Sequence, residues 1–282
     1  MMNPLLKTLV TSALFSTTIL QASAEERVML KEPDPKIALR IETSTVVKGG
    51  EAESAGPGGT VREKIDITRE RLMQRTMTPD AIGGEVSYRI LKDSITTSLN
   101  GKVDTKTGPL EGKTATARLN GAGNWTFSLS GIATGDAVQE LSMLEGIENR
   151  RWLPGREVAV GESWNFSPNF IRRSLQRDFP HPQVSGLMKL RKVEKKSDGT
   201  RQAIIDCFIR AGSSKVLDDG EVIDAETGLV GSLTVNLDRP GLMRIYLSGK
   251  LNTGASKDGE TARAVMPLNM SAKFDPMPSV SN

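Results

Sequence analysis

Apolar and polar positions alternate along most of the chain. Ile37, Leu39, Ile41, Thr43, Thr45 and Val47 fall on every second position among mostly polar neighbours, the period of a strand with one buried face. The pattern returns at Val61, Ile65 and Ile67, at Val86, Tyr88 and Ile90, at Ala115, Ala117 and Leu119, and at Trp125, Phe127 and Leu129. Gly, Asn, Asp or Pro bounds each run, which predicts an antiparallel meander. Between the first two runs, 48–60 holds five glycines and is expected to be a long surface loop. Further on, 188–193 and 203–209 face each other across Ser197-Asp198-Gly199-Thr200, a hairpin signal. Asp224-Ala225-Glu226-Thr227-Gly228 is expected to turn the chain between Val222-Ile223 and the run from Leu229 to Leu237. Met243, Ile245 and Leu247, then alternate positions from Ala264 to Phe274, complete the pattern.

Two stretches change period. After Asp136, a residue suited to an N-cap, Val138, Leu141, Leu144 and Ile147 recur every three positions, predicting a helix over 136–150. Ser167-Pro168 opens a second helix over 168–179, with Ile171 and Leu175 on one face and Pro180 ending it. Between them, 150–166 carries Trp152 and Trp164 around a Pro154-Gly155 turn. Aromatic residues are only 4% of the chain, so Trp125, Trp152, Trp164 and Phe166 are expected to act as packing anchors in an aliphatic core. The predicted fold is mainly β: a large curved antiparallel sheet or open barrel in two related halves, with two short helices near the centre. Halves 35–135 and 184–274, joined by 136–183, are expected to form one domain. The hairpin segments beginning at Leu119-Asn120 and Leu237-Asp238 match at a constant offset, compatible with duplication. The segment 25–34 reads as a linker, and 275–282 as a disordered tail.

The first residues bear on compartment. Lys7 is the only charge before Glu25, an apolar run follows to Leu20, and Ala22-Ser23-Ala24 has the small-x-small form of a cleavage site. These features predict a cleaved export signal over 1–24 and a periplasmic or extracellular mature protein. No stretch suits a transmembrane helix. Lys and Arg number 37 against 34 Asp and Glu, with the signs interspersed, and a near-balanced chain lacks the basic stripe that nucleic acid demands. Cys207 is the single cysteine; it alternates with Ile205 and Ile209 and is expected to be a buried thiol, so no internal disulfide supports the fold.

Catalytic chemistry is poorly supplied. His181 is the sole histidine, which rules out a His-paired metal site. The segment from Gly108 to Thr114 ends like a phosphate-binding loop, but Thr107 stands where the template needs glycine and a strand pattern follows where a helix should. Calcium loops of alternating Asp are absent. Glu157 and Glu162 are one carboxylate pair among many, with nothing to set an acid apart from a base. No cofactor is expected, and the chain reads as non-catalytic. Arg150, Arg151, Arg156, Arg172, Arg173 and Arg177 cluster around the central elements, either as solvated helix faces or as a patch for anionic partners.

The stretch from Leu153 to Trp164 resembles the Pro-x-x-x-Val-x-Val-Gly-[Asp/Glu]-[Ser/Thr]-Trp element of uncharacterised exported bacterial proteins, and 224–229 is similar to a turn they also carry. That resemblance implies a distant likeness to lipoprotein-carrier folds, in which a curved sheet wraps around helices and leaves an apolar concavity. Two functions follow as expectations: a cell-envelope module binding a lipid, lipoprotein or other apolar ligand, or an envelope structural or interaction protein whose core is fully packed. Fold alone decides neither.

Overall fold

The computed structural model describes residues 26–78, 84–130, 135–176 and 182–278. The predicted signal over 1–24 lies outside them. Alternation has produced antiparallel strands: β1 (Arg27–Leu30), β2 (Leu39–Gly56), β3 (Gly59–Thr78), β4 (Glu85–Leu99), β5 (Lys102–Thr107), β6 (Thr114–Leu119), β7 (Trp125–Leu129), β8 (Arg156–Ala159), β9 (Ser163–Phe166), β10 (Gln183–Lys195), β11 (Arg201–Val216), β12 (Val222–Asn236), β13 (Met243–Lys257) and β14 (Glu260–Pro276). The helices are α1 (Asp136–Glu148) and α2 (Asn169–Leu175).

One twelve-stranded sheet runs in the order β7-β6-β4-β3-β2-β14-β13-β12-β11-β10-β9, with β5 paired to β4. Each half is a meander, and the two join where β14 pairs with β2, from Thr261 opposite Ala55 to Pro276 opposite Leu39. The sheet does not close into a barrel. Its two ends are β7 and β9, and the chain between them carries α1 and β8. One buried cluster includes Ile41, Met73 and Tyr88 from the first half, Leu144 and Trp152 from the centre, and Ile205, Leu247 and Phe274 from the second. The matched hairpins occupy different places, β6–β7 at an end of the sheet and β12–β13 within it.

Several expectations need correction. Residues 27–30 are a strand rather than linker: β1 pairs with β8 from Arg27 opposite Ala159 to Leu30 opposite Arg156, and Leu30 is fully buried. Beside it, a Glu32 carboxylate oxygen accepts the Trp152 and Leu153 N–H groups at 2.7 and 3.0 Å. The supposed loop over 48–60 is the end of a long hairpin. Its glycines serve a bulge between Val47 and Gly50, where Gly49 has φ 66, and a tight turn between Gly56 and Gly59. The supposed turn at 224–228 is strand, because Ala225 and Thr227 are buried and alternate with exposed neighbours; the chain turns earlier, where Leu217 N–H bonds the Glu221 carbonyl. Residues 275–276 extend β14 rather than starting a tail. In α1, Gly135 occupies the cap position and Asp136 the first turn, while Val138 is 53% exposed and Glu140 is buried. The packed face includes a carboxylate because basic partners wait on the sheet.

Candidate functional site

Call the sheet face that carries the helices the inner face. On β3, Arg69, Arg71, Met73 and Arg75 share it, since alternate strand residues point the same way. Asp93 on β4 is fully buried among them. Its carboxylate accepts two hydrogen bonds from Arg69, at 2.9 and 2.8 Å, and one from Arg71 at 2.9 Å. Glu140 of α1 accepts from Arg69 at 2.8 Å and from Arg71 at 2.6 Å. At the last residue of the helix, Glu148 takes both prongs of Arg75, at 2.9 and 2.5 Å, and the Tyr88 hydroxyl at 2.8 Å. Arg75 also donates to the Pro35 and Ile37 carbonyls. Three arginines on the sheet thus clamp α1 by two of its glutamates, with Asp93 bridging Arg69 and Arg71 beneath it.

The electrostatics fit a structural role. Burial alone would raise the Glu148 pKa, but hydrogen bonds and charge from Arg75, together with nearby Arg150, more than offset it and hold the carboxyl below its ordinary range. Asp93 is treated the same way: burial opposes ionisation, and hydrogen bonds from Arg69 and Arg71 overcome it. A carboxylate held ionised by bidentate guanidinium contacts has its acceptor sites occupied. Gly108 packs against this cluster so tightly that a Cβ there would lie 2.0 Å from an Asp93 oxygen. The segment with the form of a phosphate loop therefore closes a turn over Asp93, and Leu110 within it is fully buried.

The network ends at Arg69. Toward the β2–β3 turn the same face carries Ile65 and Ile67, with Ile95 on β4, Leu251 on β13, and Met266, Leu268 and Met270 on β14, all half-buried. Register places them side by side: Leu268 lies opposite Val47, which lies opposite Ile67, while Met266 lies opposite Leu251. α2 packs on β10 and β11, and α1 on β7 and α2. Met270 and Ile95 share the row of Arg69, and Leu268 and Met270 pack against the buried cluster, while Ile65, Ile67, Leu251 and Met266 continue the apolar face toward the β2–β3 turn. Sequence reading found these residues only as generic strand positions.

The aromatic anchors separate into two groups. Trp152, Trp164 and Phe166 are buried, and Trp125 is half-buried. Trp164 Nε1 donates to the Trp152 carbonyl at 2.8 Å, and Trp152 meets Phe170 and Phe274 edge-on at 5.7 and 6.4 Å.

Of the arginines expected to cluster, Arg150 is withdrawn from the surface. The Arg150 side chain is 7% exposed; it lies over the Phe274 ring at 5.3 Å and sits 3.4 Å from Glu32. Burial removes it from the surface set. Arg151 and Arg156 are exposed, with Arg156 paired to Glu162. Arg172 reaches the Val184 carbonyl and Arg173 lies 3.5 Å from Glu145. Arg177 and His181 lie outside the described residues. Cys207 is fully buried, and burial pushes its thiol pKa up to about 12, so it is poorly suited to act as a thiolate. Among the described residues there is no metal-ligating cluster of three or more His, Cys, Asp or Glu, and no helix long and apolar enough to cross a membrane.

The class defined by this geometry is an open antiparallel sheet with two short helices, one packed on β7 and the other on β10 and β11. No family model and no curated protein matches the chain. Among solved structures it is similar to DynF from the dynemicin biosynthesis pathway of Micromonospora chersina, at 9% identity over 92% of this chain and 90% of that one, with a TM-score of 0.23. It is also similar to the beta domain of the Bordetella autotransporter BrkA, at 10% identity over 86% and 99% of the two chains, with a TM-score of 0.22. Scores this low carry neither fold nor function across.

Proposed function

We propose that this is an exported, non-catalytic cell-envelope protein that binds the apolar part of a lipid or lipidated partner on the uncovered portion of its inner face. The observation supporting this reading is the set of half-buried aliphatic side chains from Ile65 to Met270, on the core-facing side of adjacent strands and running from the Arg69 row toward the β2–β3 turn. A fully packed envelope protein would bury them, since each methylene withdrawn from water contributes about 0.8 kcal/mol. Methionine at positions 266 and 270 suits a surface that must adapt to flexible chains. The ionic clamp beside it holds α1 in place without being asked to take part in binding.

The test is titration with a fluorescent long-chain acyl probe. Wild type is expected to bind saturably, and Leu268→Glu to weaken binding about tenfold or more, a loss of roughly 1.4 kcal/mol. Absence of saturable binding by folded wild-type protein contradicts the proposal.

A further inference from the structure

The opposite face of the sheet carries a second feature that the apolar reading leaves unused. A groove of about 610 Å3 crosses it, formed by two neighbouring rows of residues on six consecutive strands, β12-β13-β14-β2-β3-β4. One row runs Thr234, Arg244, Lys273, Glu42, Leu72, Lys92, each directly opposite the next. The neighbouring row centres on Tyr246, between Ser232 and Ser271. Six strands at a spacing of about 4.8 Å make the track roughly 24 Å long.

Its cations differ in state. Lys92 is paired with Glu70 at 2.6 Å and Lys273 with Asp275 at 2.5 Å. Arg244 is exposed and has no hydrogen-bond or ion-pair partner among the described residues. Next to it along β13, Tyr246 is 51% exposed, its hydroxyl donating to the Asn269 side chain at 3.0 Å. Further along the same face, Phe208 is 46% exposed and Val230, opposite it, 52%. From the register, Tyr246 and Phe208 stand two strands and about one residue pair apart, roughly 12 Å.

We infer that this outer groove binds a glycan strand bearing carboxylate groups. A pyranose ring offers an apolar C–H face, which an exposed aromatic ring covers, and a rim of hydroxyls that both donate and accept. Tyr246 in the groove and Phe208 on β11, just beyond its β12 end, supply two such rings, while Ser232 and Ser271 offer hydroxyls and Glu42, one oxygen of which accepts from Arg40 at 3.0 Å, offers the other to a sugar hydroxyl. Arg244 supplies a fork matched to a carboxylate. Nucleic acid fits less well, because Glu42 and Glu70 face the same groove and would repel a continuous phosphate backbone.

Polygalacturonate is the acidic probe, dextran the neutral one and inorganic polyphosphate the purely charged one, each titrated against the full-length exported protein. Polygalacturonate is expected to bind saturably, with Arg244→Gln and Tyr246→Ala each weakening it about tenfold and dextran binding at least as weakly as the variants do. Both side chains are exposed, so the melting temperatures should stay at the wild-type value. Leu268→Glu, on the other face, should leave this binding unchanged, which separates it from the acyl-binding proposal. No saturable binding of polygalacturonate, or binding indifferent to Arg244→Gln, overturns the inference. Polyphosphate binding as tight as polygalacturonate, with Tyr246→Ala silent, shows a site reading charge alone and overturns it too.

Discussion

Glu148 shows what a single buried charge demands of its neighbours. Its side chain is 4% exposed and that of its partner Arg75 3%, so removing either leaves the other charged and enclosed. Breaking such a pair by truncating one member typically costs about 3–5 kcal/mol. Glu148→Ala is expected to lose about that much by denaturant unfolding, since Arg75 and the Tyr88 hydroxyl lose a partner together. The folded-state pKa of Glu148 is depressed, so its contribution is present above the unfolded carboxyl pKa and is lost as pH falls through the folded value. The gap between wild type and Glu148→Gln should therefore be full at pH 7 and narrow as pH drops below about 4.5, near the ordinary glutamate value. A gap independent of pH would mean that Glu148 is not ionised in the folded protein. This clamp was invisible in the sequence. Arg69, Arg71 and Arg75 alternate as a solvated face would, and their partners on α1 lie 69 to 73 positions away.

At the scale of elements, the exposed end of the sheet is managed by a helix. β7 is a terminal strand, and unpaired strand edges recruit other chains. Asn149, just past α1, donates to the Trp125 carbonyl at 2.8 Å and accepts its N–H at 2.7 Å, as a neighbouring strand would, and Glu145 accepts from Phe127 N–H at 3.2 Å. Asn149→Ala leaves two backbone groups without partners and is expected to cost about 1–3 kcal/mol. It should also cause concentration-dependent self-association by sedimentation; a monomer of unchanged stability would show that the edge is protected otherwise. Hairpins and helix positions were legible because they depend on local period and turn chemistry. The β1–β8 pair was not, because Arg27-Val28-Met29-Leu30 is too short to show a period and its partner lies more than a hundred residues on. Asp224 to Gly228 has turn composition but strand alternation, and burial of Ala225 and Thr227 across a wide sheet overrides the local preference.

For the whole molecule, the joint between β7 and β9 is where both halves meet the helices. Trp164 is 9% exposed and bonded to the Trp152 backbone, and Trp152 in turn contacts α2 and β14. Trp164→Ala is expected to cost about 3–5 kcal/mol in one cooperative transition, whereas Arg156→Ala, at a half-exposed side chain, should cost less than about 0.5 kcal/mol. Two transitions in Trp164→Ala would mean that the halves unfold independently. The central claim concerns the inner face, where half-buried aliphatic side chains continue past the ionic clamp toward the β2–β3 turn. The most direct measurement is mass analysis of lipid co-purifying with the protein from its native cells, for wild type, Leu268→Glu and the outer-face control Tyr246→Glu. The account predicts bound lipid in wild type and Tyr246→Glu and its loss in Leu268→Glu; lipid absent from all three, or retained by Leu268→Glu, would contradict it.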